Sequence, residues 1–116
     1  MTTAEVAEAF AALCAEGKHE EAGARFWSDD VVSLEAMSGD MARCAGRAAV
    51  KAKGDWWAAN HEVHEARTHG PYVHGDQFAL RFVIDVTPKG GARIRIEEMG
   101  VYTVRGGLVV EERFFS

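Results

Sequence analysis

The sequence predicts an α+β domain in which helices gather on one face of a largely antiparallel sheet, and three observations carry that prediction. Apolar residues recur at three- and four-residue spacing in the first half of the chain. Gln77 to Thr87 alternates cleanly, with Phe78, Leu80, Phe82, Ile84 and Val86 on one face. Arg93 to Phe115 folds back on itself about a glycine pair. Helices first and a run of strands after is the order of a two-layer α+β fold.

The first helix carries Val6, Phe10, Leu13 and Cys14 at helical spacing. Thr2 or Thr3 caps it and Gly17 stops it. Glu20 to Trp27 reads as a short second helix with Ala22 and Phe26 inward. Asp29-Asp30 opens a strand, Val31 to Met37, that puts Val31, Ser33 and Glu35 on one face. Ser38 to Ala45 reads as loop. Gly46 to Asn60 is helical again, with Ala49, Val50, Lys53, Trp56 and Trp57 near one stripe; Arg47, Lys51 and Lys53 read as a solvated face. His61 to His69 is a weakly alternating strand, Gly70-Pro71 a bend or bulge, Gly75-Asp76 a tight turn and Pro88 to Gly91 a loop. Residues 1–116 form one domain, with no repeat or linker.

The final strand pair holds the most informative feature. A three-residue loop, Arg105-Gly106-Gly107, sets Tyr102 opposite Val110, Gly100 opposite Glu112 and Glu98 opposite Phe114. One face is then Ile94, Ile96, Glu98, Gly100, Tyr102, Val104, Leu108, Val110, Glu112 and Phe114. A two-residue loop slips the register by one and scatters that set. Glu98 and Glu112 thus interrupt an apolar face, where a carboxylate is costly unless paired, hydrated or neutral. The opposite face mixes Ala79, Val83, Met99, Val101, Val109 and Phe115 with Arg81, Asp85, Arg95, Glu97, Glu111 and Arg113. Such a face suits a self-complementary subunit interface or a solvated surface.

Composition narrows the partners. The 116 residues are 47% hydrophobic and 27% charged, as in a globular chain that buries about two-thirds of its unfolded surface. A net charge of −5 argues against nucleic acid. No apolar run reaches the roughly 20 residues of a membrane span. The start, Met1-Thr2-Thr3-Ala4-Glu5, has no signal-peptide character. Cys14 and Cys44 read as two free thiols, which places the protein in the cytoplasm. His61-Glu62-Val63-His64-Glu65 is not a zinc motif, because only Val63 stands between Glu62 and His64, and strand geometry sends His61 and His64 to opposite faces. No metal or other cofactor is expected.

Three segments in this order resemble the nuclear transport factor 2-like (NTF2-like) superfamily and its SnoaL-like members. They are Leu13 to Glu20, Phe26-Trp27-Ser28-Asp29-Asp30-Val31-Val32, and Val101 to Val109. The resemblance implies a cone-shaped fold, a strongly curved mixed or antiparallel sheet wrapped around the N-terminal helices and enclosing a cavity, with a convex face that commonly dimerises. It also implies a choice among isomerases, cyclases, dehydratases, hydrolases and members without a known reaction. In the ketosteroid isomerases of this group the carboxylate base matches Glu35. Their two oxyanion donors match Phe10 and Gly100, which cannot donate, so the resemblance argues against a ketosteroid isomerase.

The expected function is a small-molecule cavity that supports acid–base chemistry on a small, partly apolar organic molecule. The alternative is a binding or dimerisation module without turnover. Glu35, Glu98 and Glu112 are the candidate proton carriers, with Tyr102 as hydrogen-bond donor or satisfied core aromatic. The competing reading sends Glu98 and Glu112 to the cavity mouth or into ion pairs with Arg81. Phe10, Trp56, Trp57, His61, His64, Phe82 and Phe114 are the candidate ligand-binding residues. A homodimer is the expected assembly, with each subunit holding its own cavity.

Overall fold

A computed structural model describes all residues from Met1 to Ser116. Helix α1 (Thr3–Ala15) starts at a capping box: the Glu5 amide donates to Thr2 Oγ1, and the Thr2 amide to the Glu5 carboxylate. It buries Val6, Ala7, Phe10, Ala11 and Cys14. Helix α2 (His19–Phe26) buries Ala22, Gly23 and Phe26. Strand β1 (Trp27–Leu34) follows directly, and β2 (Arg43–Ala45) returns beside it. Helix α3 (Arg47–Ala59) buries Val50 alone. Strands β3 (His61–His74), β4 (Gln77–Pro88), β5 (Ile94–Arg105) and β6 (Leu108–Phe115) complete the chain.

The six strands form one curved, unclosed sheet in the order β2-β1-β6-β5-β4-β3. It is mixed, since β1 runs parallel to β6 and every other pair is antiparallel. The inner face packs against α1 and α2, with Phe10, Phe26, Phe78, Leu80, Tyr102, Val104 and Val109 in a single core. The sequence pattern marks Phe10, Leu13, Phe78, Leu80, Phe82, Ile96 and Phe114 as core; Phe10, Phe78, Leu80 and Phe82 are buried, while Leu13, Ile96 and Phe114 are only half-buried.

Local departures from expectation have physical causes. Strand β1 begins at Trp27 because the end of α2 passes straight into extended backbone, with Trp27 at φ −68 and ψ 136. The expected loop before α3 contains β2, held by pairing to β1 that no local sequence pattern announces. Strand β3 continues through Gly70-Pro71 to His74, absorbing the proline in a bulge between His69 and Tyr72.

The hairpin register is the main correction. The loop is the two residues Gly106-Gly107, both at positive φ (57° and 78°), which suits a tight turn. Arg105 pairs with Leu108 and Val104 with Val109, and a bulge then restores the phase, so that Tyr102 pairs with Glu112 and Gly100 with Phe114. One extra residue in β6 thus allows Val109 and Glu112 both to face inward. Leu108 and Val110 leave the inner set that a three-residue loop assigns them, and Leu108 is exposed.

Candidate functional site

The inner wall of β1, β5 and β6 and one face of α3 bring together Ser33, Lys53, Glu98, Tyr102 and Glu112, with Glu35 just past β1, which ends at Leu34 and not at the expected Met37. Glu112 is 5% exposed, and both its oxygens are occupied. Trp27 Nε1 donates to Oε1 and Ser33 Oγ to Oε2, each at 2.8 Å. Burial pushes its pKa up, while the Ser33 and Trp27 hydrogen bonds and the Lys53 charge oppose the rise. Gly23 makes the indole contact possible, because a Cβ there would lie 2.6 Å from the Trp27 ring.

Lys53 reaches the same cluster from α3. Its ammonium donates to Ser33 Oγ and pairs with Glu35 at 2.9 Å, above the Phe114 ring at 5.1 Å. The two side chains are 12% and 23% exposed, so this pair is far drier than the ion pairs of the outer surface. A continuous path runs from Glu35 through Lys53 and Ser33 to Glu112 and Trp27.

Glu98 sits on β5 opposite Phe82, one step from Gly100. Its carboxyl group makes neither a hydrogen bond nor an ion pair. Burial pushes its pKa up to about 7, with further upward pressure from Glu35 and Glu112 and a partial offset from Lys53. Tyr102 is 2% exposed and stacks on Phe78 at 4.8 Å, with Phe10 at 4.9 Å. Burial, then Glu112, lifts its phenol well above the ordinary range, so the hydroxyl is neutral. Cys14 lies in the same field, raised to about 12 by burial and Glu112.

Two sequence expectations change here. In sequence, Gly100 between Glu98 and Glu112 reads as a gap where a ligand could approach the backbone; in the structure that space is filled, since a Cβ there would lie 2.9 Å from Tyr102 Oη. Gly100 makes room for the tyrosine ring rather than for a ligand approaching the backbone. Neither inner acid pairs with Arg81, which turns outward to Glu97 at 3.0 Å.

The other candidate residues divide. Phe10 is a core aromatic against Phe26, Phe78 and Tyr102. Phe82 is buried beside Glu98 and meets the His19 ring edge-on at 6.0 Å. Phe114 lies under Lys53 and edge-on to Tyr102. Trp57 shares Lys53's side of α3 one turn on and stacks on His61 at 4.3 Å, and a bond of 2.7 Å joins His61 Nδ1 to its carbonyl. Trp56 is exposed. His64 is exposed at a bulge in β3 and bonded to Thr87, so it stands apart from the acids. No three His, Cys, Asp or Glu side chains are placed to hold a metal ion.

The residues that sequence reasoning missed are Lys53, Ser33 and Trp27. Lys53 does follow Val50 by three and precedes Trp57 by four, which is the spacing of an inward stripe. Ser33 alternates with Val31. Arg47 also departs from the solvated face, because its guanidinium donates to the carbonyls of Ala24 and Trp27 and ties α3 to the end of α2.

A family profile described as the SnoaL-like domain matches residues 1–116. A crystal structure from Mesorhizobium loti, described as a candidate SnoaL-like polyketide cyclase and also as a carbohydrate phosphatase, is 49% identical and covers 100% of both chains at a TM-score of 0.97. A Catenulispora acidiphila protein of ketosteroid isomerase-like fold, in complex with trimethylamine, has a TM-score of 0.75 at 18% identity, over 97% of this chain and 85% of its own. An NTF2-like protein from Burkholderia xenovorans gives 0.76 at 16% identity, over 97% and 87%. The last two likenesses are of fold. No curated protein matches the chain.

Proposed function

This chain belongs to the SnoaL-like domain family, and we propose that it is an acid–base enzyme acting on a small, partly apolar organic molecule, with Glu98 as the proton carrier. The observation that supports this most directly is the placement of Glu98, an inner-wall carboxyl without a protein partner, whose pKa burial pushes up to about 7. A group so poised can both give and take a proton at neutral pH. Glu35, paired with Lys53, supplies a second carboxylate on the same wall. Tyr102 supplies a neutral hydroxyl that can steady an oxygen gaining charge. Glu112, saturated by Trp27 and Ser33, positions the wall and does not move the proton.

The Mesorhizobium loti relative's cyclase assignment makes carbonyl-bearing cyclisation substrates the first to assay, with isomerisation, dehydration and hydrolysis following. In such assays kcat/KM should rise or fall through an inflection near 7, and Glu98→Gln should remove that inflection and at least ~100-fold of the rate. The folded variant must still bind ligand. If Glu98→Gln turns over normally, or if bound ligands are never converted, the domain is a binding module and the catalytic reading is wrong.

A further inference from the structure

We propose that the inner-wall site takes a ligand with a protonated amine on an apolar body, held between the Glu98 carboxylate and the Tyr102 hydroxyl. The inference rests on the acid–base reading above and narrows its substrate class. Two independent observations point to a ligand here. Glu98 accepts no hydrogen bond from the chain although it lies on an inner wall, opposite Phe82. Tyr102, only 2% exposed, also makes no side-chain hydrogen bond, and its ring lies over Gly100, on the strand face that also carries Glu98. No sealed polar side-chain atom lacks a partner anywhere in the chain. The Tyr102 hydroxyl, which has no partner in the chain, is therefore not fully sealed.

The charges select the ligand. Glu35, Glu98 and Glu112 share one ammonium, and Lys53 is already committed to Glu35 and Ser33. A carboxylate or phosphate entering beside Glu98 meets the uncompensated field of the acids. A neutral alcohol supplies one donor and no charge. A primary ammonium supplies the missing positive charge and an N–H for each free acceptor, the Glu98 carboxylate and the Tyr102 oxygen. The half-buried Phe114 and buried Phe82 give the apolar body its surface.

Entry of the cation has a proton cost that can be measured. Glu98 must be ionised to hold an ammonium, and burial makes it retain its proton up to about 7. The groups around it are Glu35 just past β1, Lys53 of α3, Glu112 of β6 and Tyr102 of its own strand, with Cys14 of α1 close to Glu112 and His19 of α2 against Phe82. Amine binding should therefore release a proton and weaken as pH falls below the Glu98 midpoint.

The test is calorimetric titration of the whole chain with cyclohexylamine, cyclohexanol and cyclohexanecarboxylate. Cyclohexylamine should bind tightest, and its affinity should fall by about tenfold per pH unit below ~7. Glu98→Gln should weaken it by at least ~10-fold, and Tyr102→Phe by a smaller factor. Equal or tighter binding of the alcohol or the carboxylate overturns the inference, as does an amine affinity indifferent to pH or to Glu98→Gln, or no binding of the amine. Carboxyl-detected NMR titration of the free protein separates the two levels of failure. A Glu98 midpoint near 7 without amine preference overturns this inference alone. A midpoint in the ordinary carboxylate range overturns the acid–base reading and the inference with it.

Discussion

Glu98 and Glu112 are the same residue type on the same inner wall, and their surroundings give them different work. Glu112 receives an indole N–H and a serine hydroxyl, so its lone pairs are used. Glu98 receives nothing and responds to burial by holding its proton to about 7. The consequence for stability has a definite sign. A carboxyl whose folded pKa lies above its unfolded value makes the native state bind more protons than the unfolded state between the two values. Its burial is thus best tolerated below the ordinary 4.5 and becomes progressively destabilising as pH rises to about 7. Native stability should fall over that window, by on the order of 2 kcal/mol from Glu98. Glu98→Gln should flatten the fall, as read from urea denaturation midpoints at a series of pH values. A slope identical in wild type and variant would show that Glu98 is solvated. That two acids face inward was legible from alternation along β5 and β6. Their partners were not, because Trp27, Ser33 and Lys53 come from two other elements and meet Glu112 only after the sheet and α3 are assembled.

At the scale of elements, two glycines decide where large aromatics go. Gly100 yields its side-chain space to Tyr102, and Gly23 yields its own to Trp27. Neither role is visible in the sequence. Gly23 permits a sharp prediction, because intrinsic preference and packing disagree in sign. Alanine is favoured over glycine in a helix by about 1 kcal/mol. Here its methyl would lie 2.6 Å from the Trp27 ring, whose indole is tethered to Glu112. Overpacking of this kind costs ~1–3 kcal/mol, so Gly23→Ala should lower the melting temperature and move the Trp27 indole N–H resonance. An unchanged resonance with a higher melting temperature would mean that the ring yields freely. The β6 bulge teaches a related lesson. The alternation identified Glu112 and Phe114 as inward, but it assigned the wrong loop length, since one bulged residue can undo a one-residue slip.

For the whole molecule, the order of helices and strands was enough to give the α+β class and one packed sheet face. The parallel pairing of β1 with β6 was not legible, because a strand at position 27 meeting one at position 109 leaves no local signal. The outer face carries the remaining question, and its chemistry favours a second copy of this chain. Glu97 is bridged by Arg81 and Arg95 at 3.0 and 3.1 Å, and Arg93 holds Asp85 through two hydrogen bonds. These charges are compensated within the subunit, which lowers the penalty for covering them. Between and beside them lie the partly exposed Val83, Met99 and Val101, with Ile94 and Phe115 about half exposed at the margin. A patch with paired charges and apolar gaps can face its own twofold copy without like-charge repulsion. The expected assembly is a dimer through Arg81, Val83, Arg95, Met99, Val101 and Arg113, burying ~1,200–2,000 Å² in total. Sedimentation equilibrium at micromolar concentration should return the dimer mass, and Val101→Glu should return the monomer, because it sets two uncompensated carboxylates against each other across the axis. Monomer alone for the unmodified chain would leave this face as solvated surface.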